Sequence, residues 1–374
     1  MKRIRTIARE GALPSRLLFV TVWLSLFAYA GRPLLVAAHA GGIAPAIAWL
    51  SLLFCSALPL MAILIRRPST HLAGYTTLAV FSLLLVLVAF SDLVRLSYLL
   101  AHVAINSRAV SFSVLGAAVA LSIIGLFQAR CPRVKNVTIA LENLPEEFDG
   151  YRIVQWSDVH VGPQIQRGFV QALVDRTNAL EADAIAITGD LVDGYLDDLR
   201  EQVQPLADLR ACDGVFYVTG NHEYYWRASE WIKELQTLGL DFLKNEHRVI
   251  ARGDAKLVIA GVTDPVGRYT HKQDVGRAFE NTPAGSTKIL LSHRPQTAQA
   301  ASRHGADVQL SGHTHGGQFF PFNFLIRFFQ PIVAGLHRVE RTWLYVSRGT
   351  GYWGPPSRLG VQSEITVITL NRSI

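Results

Sequence analysis

Tyr151-Arg152-Ile153-Val154-Gln155-Trp156-Ser157-Asp158-Val159-His160 runs as an apolar stretch of strand length that stops at a carboxylate and an imidazole two residues apart. A strand ending in Asp-X-His presents both groups at its carboxyl end, the edge where open α/β sheets bind ligands. Three residues recur by chance, so the weight lies in the strand ends further along the chain. Four more strand-like runs end in the same way. Ala184–Thr188 stops at Gly189-Asp190-Leu191-Val192-Asp193, and Val215–Thr219 at Gly220-Asn221-His222-Glu223. Lys288–Leu291 stops at Ser292-His293-Arg294-Pro295, and Val308–Leu310 at Ser311-Gly312-His313-Thr314-His315. Each cluster alone reads as an ordinary loop. Five in order collect Asp, Asn and His at one sheet edge. Oxygen and imidazole donors without thiolate suit Mn, Fe or Zn rather than a structural zinc cage. Glycine ahead of the ligand types lets the backbone turn tightly and approach the ions.

Around these ends, residues 132–374 alternate short β-branched runs with helical patterns. Val134–Leu141, Lys256–Val262, Trp343–Val346 and Ile365–Leu370 read as further strands. Phe169–Leu180, Leu196–Ala211 and Ser229–Leu238 read as helices, Ser229 serving as an N-cap. The later half is richer in strands. The expectation is an α/β domain of two packed mixed β-sheets flanked by helices.

The order Asp-X-His, Gly-Asp-X-X-Asp, Gly-Asn-His-Glu, a lone His and Gly-His-X-His resembles the calcineurin-like metallophosphoesterase superfamily across residues 132–374. The strings Ser-His-Arg-Pro and Gly-His-Thr-His-Gly-Gly-Gln resemble its membrane-associated branch, which includes multi-span transmembrane metallophosphoesterases and UDP-diacylglucosamine hydrolases. The resemblance implies two divalent ions, Mn2+, Fe or Zn2+. Asp158, His160, Asp190 and His315 would hold the first; Asp190 would bridge to the second, which Asn221, His293 and His313 complete. His222 would be the catalytic residue, facing the substrate phosphate and helping the leaving oxygen depart. Asp193 would support it, and Gly194 stands where many relatives carry Arg, so a phosphate clamp from that position is missing. Ser347-Arg348-Gly349-Thr350-Gly351 and Arg358 resemble the family's closing loop, with Arg348 and Arg358 expected to bind substrate. Such a site hydrolyses a phosphodiester or pyrophosphate bond. A cation pair roughly 3.5–4 Å apart polarises the phosphoryl oxygens and generates hydroxide near neutral pH, so no Ser or Cys nucleophile is needed. His222 can then serve as proton donor or electrostatic support. His247, His271, His304 and His337 lack the strand-end context and carry no expected role.

The segment Phe319-Phe320-Pro321-Phe322-Asn323-Phe324-Leu325-Ile326-Arg327-Phe328-Phe329 follows the last histidine cluster closely. Two readings stand side by side. It either dips into a membrane interface and admits an acyl-bearing phosphoester, or packs on the domain's own core.

The first 131 residues differ in kind. Four apolar runs, about Leu17–Val36, Ile43–Ile65, Leu72–Ser91 and Ala109–Ala129, are long enough to cross a bilayer, which takes roughly 20 helical residues. The last three contain no Asp, Glu, Lys or Arg. A composition change near Cys131-Pro132 separates this anchor from the domain beyond. The connection Asp92–Arg108 either lies in the interface or continues the third span. Net charge is +9 over residues 1–131 and −2 over 132–374, so the basic excess belongs with the spans rather than with nucleic acid. Lys2, Arg3, Arg5, Arg9 and Arg16 precede the first run, Arg66-Arg67 separate the second and third, and Arg130, Arg133 and Lys135 follow the fourth. That bias predicts a multi-pass protein of the inner or plasma membrane with its catalytic domain in the cytoplasm. Cys55, Cys131 and Cys212 form no zinc or redox spacing. The expected partners are the bilayer and a phosphoester, on a lipid or nucleotide-activated lipid. The competing readings are a phosphatase or phosphodiesterase for a soluble substrate, and a transporter or membrane sensor with a regulatory phosphoesterase-like domain.

Overall fold

The computed structural model describes residues 12–38, 43–65, 67–267 and 271–373. The chain separates into two compact units, Met1–Ile124 and Gly125–Ile374. The first is built on four helices long and apolar enough to cross a membrane: α1 (Ala12–Ala37), α2 (Ala44–Leu64), α3 (Pro68–Leu100) and α4 (Ser107–Arg130). The last turn of α4 belongs to the second unit, where Gly125 O and Gln128 O accept hydrogen bonds from Arg358 N and Ser363 Oγ. Lys2, Arg3, Arg5, Arg9 and Arg66, which contribute to the expected orientation, lie outside the described residues.

The helices are apolar on their outer faces as well as between them. Phe54 is 64% exposed and Phe90 65%, a surface that suits lipid and not water. Inside, the Phe27 ring stacks on Phe81 with centroids 3.8 Å apart, and Trp23 Nε1 donates to the Ser56 carbonyl at 3.0 Å. Of the two readings of Asp92–Arg108, the structure takes the continuous one. Helix α3 runs on to Leu100 and includes Asp92 and Arg95. Asp92 is tolerated there because Arg32 of α1 pairs with it and Tyr29 donates to it at 2.8 Å.

The second unit holds two six-stranded sheets. Its elements are β1 (Arg133–Leu141), β2 (Tyr151–Trp156), α5 (Arg167–Asn178), β3 (Ala184–Ile187), α6 (Leu196–Val203), β4 (Val215–Tyr217), α7 (Asn221–Tyr225), α8 (Ala228–Thr237), β5 (Asp241–Phe242), β6 (Glu246–Arg252), β7 (Ala255–Gly261), α9 (Val275–Ala278), β8 (Thr287–Leu291), α10 (Ala298–Arg303), β9 (Val308–Ser311), α11 (Phe322–Leu325), β10 (Gly335–Val339), β11 (Thr342–Val346) and β12 (Glu364–Arg372). The sheet orders are β1-β12-β2-β3-β4-β5 and β10-β11-β9-β8-β7-β6. Both are mixed: β2, β3 and β4 run parallel, as do β7, β8 and β9, with antiparallel pairing of β12 to β2, β6 to β7 and β10 to β11.

Strand alternation assigns each residue to a layer. Ile153, Ala184, Ala186, Phe216 and Val218 face the other sheet and meet Leu257, Ile259, Ile289, Leu291 and Leu310. Their neighbours Val154, Trp156, Ile185, Ile187 and Tyr217 face outward and are covered by Val170, Leu173, Trp231 and Leu235. Val258, Ala260 and Leu290 on the far face of the second sheet pack under Val275, Ala278 and Ala301. The result is the expected pair of packed sheets with helices outside. Buried polar links cross between the sheets. Gln155 Nε2 donates to the Ser311 carbonyl at 3.0 Å, and Tyr345 Oη to Glu364 Oε1 at 2.6 Å.

Two local expectations change. The predicted helix over Leu196–Ala211 gives way to a 3-10 turn at Gln204–Asp208, because Pro205 has no N–H to continue an α-helix. Ser229 does not cap α8, since that helix already begins at Ala228, after Arg227 in left-handed backbone.

Candidate metal centre

The carboxyl ends of β2, β3, β4, β8 and β9 converge where the two sheets meet, and every predicted ligand sits just beyond one of them. The β2 end is tied to its neighbours through the backbone: Asp158 N donates to Gly189 O at 3.0 Å and His160 N to Asp190 O at 3.1 Å. Asp158, His160, Asp190, His313 and His315 all have left-handed backbone, with φ of 54°, 55°, 51°, 72° and 51°. Such conformations cost on the order of 1–3 kcal/mol each and persist only where the surroundings impose them. Gly220 and Gly312 permit the close approach. A Cβ at Gly220 would lie 2.2 Å from Asp190 Oδ1, and one at Gly312 would lie 2.2 Å from Asp158 Oδ2.

Two groups form, one on each side of Asp190. His160 Nε2 and His315 Nε2 are 3.1 Å apart, and His315 Nε2 is 3.4 Å from Asp158 Oδ1. Across the site, His293 Nε2 lies 3.2 Å from Asp190 Oδ2 and 3.2 Å from His313 Nδ1. Asp190 Oδ2 also lies 3.9 Å from His160 Nε2, so this carboxylate stands between the groups. Asp158, His160 and His315 could together hold one ion, and Asp190, His293 and His313 another.

The chemistry of these donors fits divalent cations. Burial pushes the His160 imidazole down to about 4 and His313 to about 3, and holds His315 well below its ordinary range, leaving lone pairs free at neutral pH. Burial alone would raise Asp190, but His293 beside it holds the carboxyl well below the usual range. Burial opposes charge on His293 too, yet Asp190 raises its pKa to about 10. The His293 ring is oriented by Nδ1 donating to the Thr188 carbonyl at 2.9 Å, which turns Nε2 toward Asp190. Asn221 Oδ1 is buried with no hydrogen-bond donor among the described residues, as expected of an oxygen that faces an ion.

His222 lies at the open side, its ring 4.6 Å from that of His160. Its Nδ1 is 2.9 Å from Asp193 Oδ1, which also accepts from Trp226 Nε1 at 2.8 Å. Burial works against protonation of His222, but the Asp193 hydrogen bond together with the negative charges of Asp190, Asp193 and Glu223 outweighs it and raises the pKa. Tyr225 and Trp353, both more than half exposed, flank the ring with centroids at 5.1 and 5.7 Å.

Two residues have places the sequence reading did not give them. Arg358 was expected to bind substrate, yet it is fully buried. Its guanidinium donates to the carbonyls of His315, Arg348 and Gly351 and lies 3.0 Å from His315 Nδ1, so it holds His315 from behind and no part of it faces solvent. Arg348 remains half-buried beside Gly316. Glu223 is also fully buried, and burial raises its pKa to about 7. Its carboxylate accepts from the backbone N–H groups of Asp190, Leu191, Val192 and Gly220, stapling the Gly-Asp loop to the Gly-Asn-His loop. The signal was present, since Glu at the third helical position after a Gly N-cap is a capping pattern. Arg294 donates from Nε to the buried Asp264 at 2.7 Å and, beyond this pair, helps hold His313 neutral.

Residues 151–317 match the profile of the calcineurin-like phosphoesterase family. An uncharacterized metallophosphoesterase of Aquifex aeolicus is 33% identical over 248 residues, which cover 64% of this chain and 91% of that one. The chain belongs to the calcineurin-like phosphoesterase family. Among its relatives is the transmembrane protein with metallophosphoesterase domain of Danio rerio, 37% identical over 265 residues, covering 68% of this chain and 61% of that one. The protein of the same name from Bos taurus is 40% identical over 265 residues, covering 67% and 60%. The chain thus matches about 60% of the length of these two relatives. With four helices long and apolar enough to cross a membrane and relatives named transmembrane proteins, the chain is a membrane protein.

Proposed function

We propose that this chain is a membrane-anchored hydrolase that cleaves a phosphodiester or pyrophosphate bond on a lipid or nucleotide-activated lipid. The observation that carries the reading is the convergence of Asp158, His160, Asp190, Asn221, His293, His313 and His315 from five strand ends, with His222 held beside them. Asp158, His160, Asp190 and His315 would hold one divalent ion, and Asp190, Asn221, His293 and His313 would hold a second. Bound there, such ions polarise phosphoryl oxygens and make hydroxide available near neutral pH.

The remaining work falls to side chains. His222, kept protonated by Asp193 above its ordinary range, delivers a proton to the leaving oxygen. Trp226 and His222 share Asp193, which fixes the orientation of the ring through Nδ1. Arg294, oriented by Asp264, and Arg348 supply positive charge for phosphate oxygens. The basic residues flanking the spans support a cytoplasmic side for the catalytic domain.

The test is hydrolysis by the purified full-length protein of a generic phosphodiester, a phosphomonoester and a nucleotide-activated diacyl sugar. Each is run with Mn2+, with chelator, and with Asp190→Ala. Cleavage that requires Mn2+ and disappears in Asp190→Ala supports the reading, and the preferred substrate separates lipid from soluble chemistry. A folded, metal-loaded protein that cleaves none of the three would refute it and favour a sensor.

A further inference from the structure

The phenylalanine-rich segment after the Gly-His-Thr-His turn keeps its side chains in the open. Phe322, Phe324 and Leu325 are 48, 58 and 46% exposed, and Phe328 and Phe329 are 82 and 80% exposed. Leaving a phenylalanine in water rather than burying it forgoes about 1.5–3 kcal/mol. Five large apolar side chains in eight residues form a patch that calls for a partner.

This exposure is built into an anchored frame. The Gln318 side chain accepts from Trp353 N at 2.9 Å and donates to the carbonyls of Trp353 and Pro355 at 2.8 and 3.0 Å. Phe320 N donates to Leu359 O at 3.0 Å, and the buried Phe319 ring meets Phe322 at 5.2 Å. Gly317 lies so close to Asn323 that a Cβ there would reach its Cα at 2.4 Å. The chain therefore presents the phenylalanines from a fixed platform.

The same platform grips the end of α4. Arg358 N donates to Gly125 O at 2.9 Å, Ser363 Oγ to Gln128 O at 2.9 Å, and Gln362 Nε2 to Cys131 O at 3.0 Å. That last turn exposes its own apolar residues, Phe127 at 66% and Leu126 at 36%. Residues 357–363 thus hold the end of a membrane-spanning helix on one side and the phenylalanine segment on the other.

We infer that Phe322–Phe329 docks into the interfacial layer of the bilayer, beside the point where α4 leaves it. The occupant is lipid: an apolar patch carrying one basic residue, Arg327, and tied to the end of a membrane helix suits acyl chains beneath anionic headgroups. Trp353, pinned by Gln318 and beside His222, then brings the candidate metal centre to that surface. A phosphoester would reach His222 with its acyl chains still in the membrane. This last consequence rests on the proposed lipid substrate; the docking does not.

The experiment uses the full-length chain, one copy per lipid nanodisc, with Cys55, Cys131 and Cys212 replaced by alanine. A cysteine at Phe328 (Phe328→Cys), and in a second variant at Phe329, carries an environment-sensitive fluorophore. A control label sits at Asp254→Cys in the exposed β6–β7 turn. Lipids spin-labelled near the headgroup should quench the labels at 328 and 329 roughly twofold or more and leave the one at 254 unchanged. Aqueous iodide should do the reverse. Iodide quenching at 328 and 329 equal to that at 254, with no quenching by spin-labelled lipid, would overturn the inference. Shielding of these labels only when a second copy shares the disc would assign the patch to self-association and overturn it equally. Both positions are exposed, so neither substitution removes a core contact, and the readout does not depend on activity.

Discussion

Replacing Glu223 by glutamine tests whether one buried carboxylate holds the two halves of the metal centre together. Oε1 accepts from Leu191 N at 2.7 Å and Val192 N at 3.3 Å, and Oε2 from Gly220 N at 2.7 Å and Asp190 N at 3.1 Å. Glutamine keeps the shape and one acceptor oxygen, but it turns an NH2 group toward the other pair of N–H donors. A buried donor left unsatisfied costs about 1–3 kcal/mol. Two opposed donors give roughly 2–6 kcal/mol, and rotation of the amide toward the better pair brings the expectation to about 2–4 kcal/mol. For a unit of this size that lowers Tm by about 4–16 °C. Because Glu223 fixes the backbone of Asp190 and Gly220, Mn2+ affinity should fall about 10–100-fold as well. Thermal unfolding followed by tryptophan fluorescence, with and without Mn2+, and direct Mn2+ titration measure both. A variant that melts within about 1 °C of the parent and binds Mn2+ equally well would show that the staple carries no such role.

Asp193→Asn should lower turnover about 100-fold with little change in KM, because it loosens His222 without touching the ligand atoms. The Asp193 hydrogen bond raises the His222 pKa, so its loss should move the high-pH limb of the kcat profile to lower pH. An unmoved limb would mean that His222 is not the proton donor. Gly312→Ala places a methyl group 1.8 Å from Ser157 Oγ and 2.2 Å from Asp158 Oδ2. The expected outcome is a folded protein with unchanged far-UV circular dichroism that retains less metal after dialysis, as metal analysis would read, and full metal content would contradict it.

That the seven expected ligand residues and His222 would gather at one edge was legible because the signal is local: a strand, often a glycine, then a donor. Where a role depends on distant neighbours, the sequence is silent. Arg358 reads as a substrate-binding cation, and its burial follows from a loop that folds back over His315. Asp92 reads as the end of a span, and its place within α3 depends on Arg32 and Tyr29 more than fifty residues earlier. Strands β6 and β10 escaped because their exposed or half-exposed polar side chains, such as Arg248, His337 and Arg338, blur the alternation that marks a strand. The packed sheets themselves were legible in the runs of Ile, Val and Leu, since burial on both faces leaves little choice of side chain.

Five donors of the metal centre stand on left-handed backbone. Among residues with a side-chain stem, Asn, Asp and His are several-fold enriched in that region, and these are also oxygen and imidazole ligands. The loops and the ions therefore draw on the same short alphabet. Exchanging Asp158 or His315 for cysteine to favour a more thiophilic metal would meet a backbone penalty of about 1–2 kcal/mol per position before any coordination chemistry began. At these five positions drift in metal preference is therefore biased toward exchanges among Asp, Asn and His, so peptide geometry adds to whatever selectivity the donors themselves give.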